Sequence, residues 1–128
     1  MISVIIPVYN EERVIKKDLR YLWKHDERNV IKEIIVIDGG STDNTIEAAR
    51  SEGVRVLLSS KKGRAAQMNF GASLATTDIL YFLHADTFPP PTFINDITQA
   101  VKRGFEAGCF RLSFDYKHWF LDTVWECI

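Results

Sequence analysis

Short apolar runs alternate along the chain with stretches of helical period. Residues 2–8 (Ile-Ser-Val-Ile-Ile-Pro-Val), 34–37 (Ile-Ile-Val-Ile) and 54–58 are such runs. So is the start of 79–87, Ile-Leu-Tyr-Phe-Leu-His-Ala-Asp-Thr. Runs of about four to eight apolar residues between turn signals read as strands buried on both faces. Between them, Ile15, Leu19, Leu22 and Trp23 recur at helical spacing and predict one buried stripe. Asn10 reads as the N-cap of that helix, with Glu11 and Glu12 in its first turn. Residues 26–32 are a polar connection.

Gly39 to Asp43 read as a tight turn into a second helix. Ile46 and Ala49 face inward there and Gly53 stops the helix at C′. A third helix, roughly 64–75, is lined by small residues. After Pro89, Pro90 and Pro91, Thr92 caps a fourth helix with Phe93, Ile94, Ile97 and Val101 inward and Gly104 at its end. Residues 107–115 read as a fifth strand, and the aromatic tail 118–128 as the start of another helix.

Strictly alternating strands and helices predict the α/β class: a mostly parallel, Rossmann-like sheet with helices on both faces. Right-handed crossovers restrict the topology. If the first three strands lie in the order 3-2-1, strand four returns beside strand one. The switch point then lies between strands one and four, and ligands of open α/β sheets bind outside the carboxyl ends there. Tyr9 and Asn10 leave strand one, Asp38 leaves strand two, and His84 and Asp86 leave strand four. One rim thus collects polar groups.

A length of 128 residues suits one domain. With 46% hydrophobic and 26% charged residues the composition is that of an ordinary globular protein. A net charge of -1 offers no basic field for nucleic acid. No stretch has the length of a membrane span, and the first residues enter a strand without a basic leader, so a cytoplasmic protein is expected. Cys109 and Cys127 lack a metal or redox spacing and read as structurally inert.

Asp38 and Asp86 carry the candidate chemistry. One Asp after a strand is common turn chemistry. Two on neighbouring strand ends suit a hard divalent cation, magnesium or manganese, whose shell phosphate oxygens and water complete. Neither a dinucleotide fingerprint nor a P-loop lysine motif is present. Ile37 to Thr42 match haloacid dehalogenase phosphatases only in part, because Gly40 stands where those need a second Asp. Lys61, Lys62 and Arg64 read as a solvated basic loop or, for Arg64, as a diphosphate contact. His84 reads equally as structural, as a metal ligand, or as a hydrogen-bonding group for ribose or phosphate. Gln67 and Asn69 read as helix-surface residues, and Trp119, Phe120 and Trp125 as packing surface.

Four segments taken together resemble the inverting family 2 glycosyltransferases of the GT-A fold. They are Val4 to Glu12 (VIIPVYNEE), Ile35 to Asp43 (IVIDGGSTD), Gly63 to Gly71 (GRAAQMNFG) and Leu83 to Asp86 (LHAD). The likeness extends over essentially the whole chain, nearest to a small bacterial branch with a His-Ala-Asp metal motif. It implies a nucleotide-diphospho-sugar transferase, with a UDP-linked donor and Mn2+ or Mg2+ as cofactor. Pro7, Tyr9 and Glu11 would line the nucleoside pocket, Asp38 would bind the base, and Arg64 would approach the nucleotide. Asp86 would hold the metal against the diphosphate, and His84 stands where the family has the first Asp of Asp-x-Asp.

The family continues into an acceptor-binding half that supplies the catalytic base. Asp96, Glu106, Asp115, Asp122 and Glu126 are the acids left after the metal motif, and none matches the family's base motif. The chain is therefore expected to be a donor-binding piece, with its acceptor unspecified and uncovered surface that favours self-association. A catalytically silent nucleotide-binding module and a nucleotidyltransferase are the alternatives. The glycine- and lysine-rich loop of nucleotidyltransferases is absent after strand one, where Asn10-Glu11-Glu12 stands.

Overall fold

The computed structural model describes residues 1–110. They fall into two compact units, Met1–Phe88 and one that begins at Pro89. The first unit holds β1 (Ile2–Val8), α1 (Ile15–Lys24), β2 (Ile31–Asp38), α2 (Thr45–Arg50), β3 (Arg55–Leu58), α3 (Arg64–Leu74) and β4 (Ile79–Phe82). The sheet order is β3-β2-β1-β4 with every pairing parallel, as the crossover argument requires. β1 and β2 end in step, Val8 opposite Asp38. Right-handed crossovers put α1 and α2 on one face and α3 on the other.

The core is the pair of central strands. Ile2, Val4, Ile5, Ile6 and Ile35 to Ile37 are fully buried, because helices cover both faces of the middle of the sheet. From α1, Ile15, Leu19 and Leu22 join them. α3 sits close on the seam between β1 and β2. A Cβ added at Gly71 would lie 2.5 Å from Ile5 Cγ2 and 3.2 Å from Ile37 Cγ1, so only glycine permits this approach.

Several expectations change. β4 stops at Phe82 and alternates half-buried with exposed positions, because it is the edge of the sheet among the described residues. Leu80 and Phe82 are exposed. α1 starts at Ile15, a turn later than an Asn10 cap would place it. Asn10 instead adopts φ 52, a left-handed conformation that Asn tolerates, and bonds to the loop after β2. Trp23 lies on the exposed side of α1, since the stripe is satisfied without it. α2 is only six residues long and buries Thr45 and Ala49, with Ile46 half-buried. Gly53 lies one position beyond C′.

In the second unit α4 spans Phe93–Lys102. It buries Phe93, Ile94, Ile97 and Ala100, and Val101 is exposed. Thr92 is its N-cap, but the hydroxyl donates to Asp96 Oδ2 at 2.9 Å and not to the backbone. Of the predicted strand 107–115, Cys109 forms an isolated bridge. Residues 111–115, the tail with Trp119, Phe120 and Trp125, the acids Asp115, Asp122 and Glu126, and Cys127 lie outside the described residues. Among the described residues no helix is long and apolar enough to cross a membrane.

Candidate functional site

A cavity of about 460 Å³ opens at the carboxyl ends of β1 and β2, beside the first turn of α3. That volume is within the range of small-molecule sites. Pro7, Val8, Tyr9 and Glu11 line it from β1, Gly39 and Gly40 from the end of β2, and Lys62, Gly63, Arg64 and Gln67 from α3 and its approach.

Two loops fold into one wall because their polar groups satisfy each other. After β1, the Asn10 backbone N–H donates to Ser41 Oγ at 2.8 Å. Asn10 Oδ1 in turn accepts the Thr42 N–H, also at 2.8 Å. The Glu11 N–H donates to Thr45 Oγ1 at 2.8 Å, and the Asn44 N–H to Glu12 Oε2 at 3.2 Å. Short polar side chains here do for the backbone what a sheet ladder does elsewhere.

Of the residues singled out from sequence, Pro7, Tyr9, Glu11 and Arg64 meet in this cavity. Asp38 does not line it. Its side chain is 0% exposed. Oδ2 accepts the N–H groups of Gly40 and Ser41, both at 2.8 Å, and Oδ1 accepts Ser41 Oγ at 2.5 Å. The carboxylate thus shapes the turn that carries Gly40, whose φ of 101 suits glycine. His84 and Asp86 are exposed, just past the end of β4, and are not among the cavity residues.

The charges nonetheless interact. Burial, with Asp86 and Asp43 nearby, raises the Glu11 carboxyl above its usual range, and Arg64 opposes this. His84 is lowered by burial and by Arg64, against the pull of Asp86. Arg64 therefore lies within electrostatic reach of Glu11 and His84, and Asp86 within reach of the same two groups. No group of three or more His, Cys, Asp or Glu side chains positioned to cage a metal occurs among the described residues. Among the described residues the Asp86 side chain accepts one hydrogen bond, from Thr87 Oγ1 at 3.4 Å. An exposed carboxylate of this kind fits a cation that takes one protein ligand and completes its shell with phosphate and water.

Two features escaped the sequence reading. Gln67 is buried at 6% exposure, and its Nε2 donates to Val8 O at 3.0 Å and to Ile37 O at 2.8 Å. In α3, with small residues on most sides, no periodicity marks the buried face. Asp18 on α1 is 1% exposed, and neither carboxylate oxygen has a hydrogen-bond partner. Burial, then Asp86 and Glu11, push its carboxyl up to about 8. It occupies the Ile15–Leu22 stripe, where the period alone predicts an apolar residue.

A family model described as "Glycosyl transferase family 2" matches residues 3–122. A glycosyltransferase of Streptococcus pneumoniae serotype 4 is 32% identical over 80% of this chain and 35% of its own length. An undecaprenyl-phosphate 4-deoxy-4-formamido-L-arabinose transferase of Aeromonas hydrophila is 36% identical over the whole chain and 42% of its own length. The chain thus spans well under half of these relatives. Among solved structures, glucosyl-3-phosphoglycerate synthase from Mycobacterium tuberculosis, in complex with Mn2+, UDP and glucosyl-3-phosphoglycerate, superposes with a TM-score of 0.70 at 26% identity. The match covers 79% of this chain and 39% of that one. The same synthase with Mg2+ and UDP gives a TM-score of 0.67 at 27% identity, over 79% of this chain and 39% of that one.

Proposed function

The chain belongs to glycosyl transferase family 2, and on that footing we propose that it binds a nucleotide-diphospho-sugar, UDP-linked, for transfer of the sugar to an acceptor. The observation that carries this reading is the cavity at the carboxyl ends of β1 and β2, lined by Lys62 and Arg64 at the start of α3 and by Glu11, with Asp86 near enough to raise the Glu11 carboxyl. Pro7, Tyr9 and Glu11 line the nucleoside end. Arg64 and Lys62 meet the diphosphate, for which a guanidinium is suited by its fork of donors. Asp38 acts through the turn that it organises.

Asp86 would hold Mn2+ or Mg2+, with His84 beside it as in the branch that carries His-Ala-Asp. The ion supplies neutralisation of the leaving diphosphate. The solved synthase binds UDP with either ion, which supports this assignment. On this reading acceptor binding and the catalytic base are assigned to sequence outside the 35–42% of the relatives' length that this chain spans. Self-association is part of the same reading, with exposed Leu80 and Phe82 on β4 as its surface. A cytoplasmic location is part of the same reading.

Titration calorimetry of the chain with UDP, in Mn2+ and in EDTA, tests the reading. Saturable binding that weakens in EDTA is expected, and no binding in either buffer would refute it. Light scattering across a concentration series tests self-association, and a constant monomer mass would remove it.

A further inference from the structure

Gln67 is more than a brace between helix and sheet. Both hydrogens of its Nε2 are committed, one to Val8 O and one to Ile37 O. A flipped amide would set its carbonyl oxygen against two other carbonyl oxygens, so the orientation is fixed. Oε1 is therefore the end of the amide that makes no bond to the strand-end carbonyls. It lies 3.0 Å from where a Cβ on Gly39 would stand, which explains why that residue has none. Oε1 takes no protein donor, and unlike the carboxylate of Asp18 it is not sealed from solvent.

The result is a neutral acceptor of set direction in the cavity lining. Such a group is expensive to leave unmatched once a ligand excludes water. On α3, Gln67 lies one turn inside exposed Arg64, between the strand ends that carry Pro7, Val8 and Gly39. The phosphate-binding cations are at the outer end, so the inner end is left for a flat, mostly apolar base. The only other acceptor expected from sequence to meet a base, Asp38, has its carboxylate filled by Gly40 and Ser41.

We propose that Gln67 Oε1 accepts a hydrogen bond from a ring N–H of the nucleobase. Gln67 is thereby a specificity residue for bases that carry such a proton, uracil among them. This rests on the donor-binding reading above and adds to it the group that reads the base.

The experiment is titration calorimetry of the whole chain in Mn2+, with UDP and with its N3-methyl analogue. The wild type is expected to bind the methylated nucleotide about tenfold more weakly, the size of one lost neutral hydrogen bond. Gln67→Met, checked for its fold by circular dichroism, is expected to bind both nucleotides alike, at the weakened level. Equal affinities in the wild type would overturn the proposal while leaving the donor-binding reading intact, and this arm needs no variant to fold. A folded Gln67→Met that still discriminates would also overturn it. Failure of the wild type to bind UDP at all would remove the reading and the proposal together.

Discussion

The backbone N–H of Glu11 donates to Thr45 Oγ1 at 2.8 Å, joining a cavity residue to the first residue of α2. Thr45 is fully buried, and its hydroxyl also donates to Asp43 Oδ1. Thr45→Val keeps the shape and removes both bonds. It should cost about 1–3 kcal/mol in urea unfolding, because the Glu11 N–H loses its partner and the Asp43 carboxylate one of its donors. UDP affinity should fall with it, and Thr45→Ser should restore both. If the Val variant bound UDP normally, Thr45 would have no part in placing Glu11.

Gly71 tests how tightly α3 is seated. Gly71→Ala gains about 1 kcal/mol of helix propensity. It also drives a methyl into Ile5 Cγ2 and Ile37 Cγ1, and overpacking of that kind costs about 1–3 kcal/mol or more. A net loss in chemical denaturation is expected. An alanine variant more stable than the wild type would mean that α3 can lift from the sheet without penalty.

Asp18 predicts a pH dependence. Its folded carboxyl is pushed up to about 8, whereas an unfolded Asp titrates near 3.9. Between these values the folded state holds a proton that the unfolded state has released. Stability therefore falls as pH rises through this window, by up to about 1.4 kcal/mol per pH unit, and levels off above it. Asp18→Asn should remove this slope and stabilise the protein at neutral pH, with little effect near pH 4. Parallel slopes for the two proteins across pH 5 to 8 would contradict the assignment.

The two rim aspartates should fail differently. Asp86→Ala should lose the Mn2+-dependent share of UDP affinity and change nothing in EDTA. Asp38→Ala strips the partners from Gly40, Ser41 and the Ser41 hydroxyl, so it should weaken binding in both buffers and lower stability by about 2–4 kcal/mol. A thermodynamic cycle over the single and double variants measures the coupling. Loss of affinity by Asp86→Ala in EDTA would show that its role is not through the metal.

The apolar runs of β1 and β2 made their burial and order legible, because central parallel strands are covered on both faces and carry mostly apolar side chains. β4 looked equally apolar, yet it is an edge strand, and composition does not distinguish a covered face from an open one. Pro7, Tyr9, Glu11 and Arg64 were found through a motif and do share the cavity. Asn10 was misread because its partner, Thr42, is 32 residues away and no local rule reaches that far. Gln67 was missed for the same reason: only the carbonyls of Val8 and Ile37 explain a buried amide. Trp23 and Val101 show the converse, apolar residues at the border of a stripe that burial does not claim.

The cross-bonding of Asn10, Glu11 and Glu12 with Ser41, Thr42, Asn44 and Thr45 has an evolutionary consequence. An insertion in either loop would shift every later donor off its acceptor, so the two can change length only in concert. The stretch from Ser60 to Gly63 is under no such restraint. The backbone bonds of Lys61, for example, stay within the turn: its C=O accepts from Ser59 Oγ and its N–H donates to the same oxygen. Drift in ligand preference, natural or engineered, should accumulate on that side of the cavity first, while the opposite wall is inherited as a block.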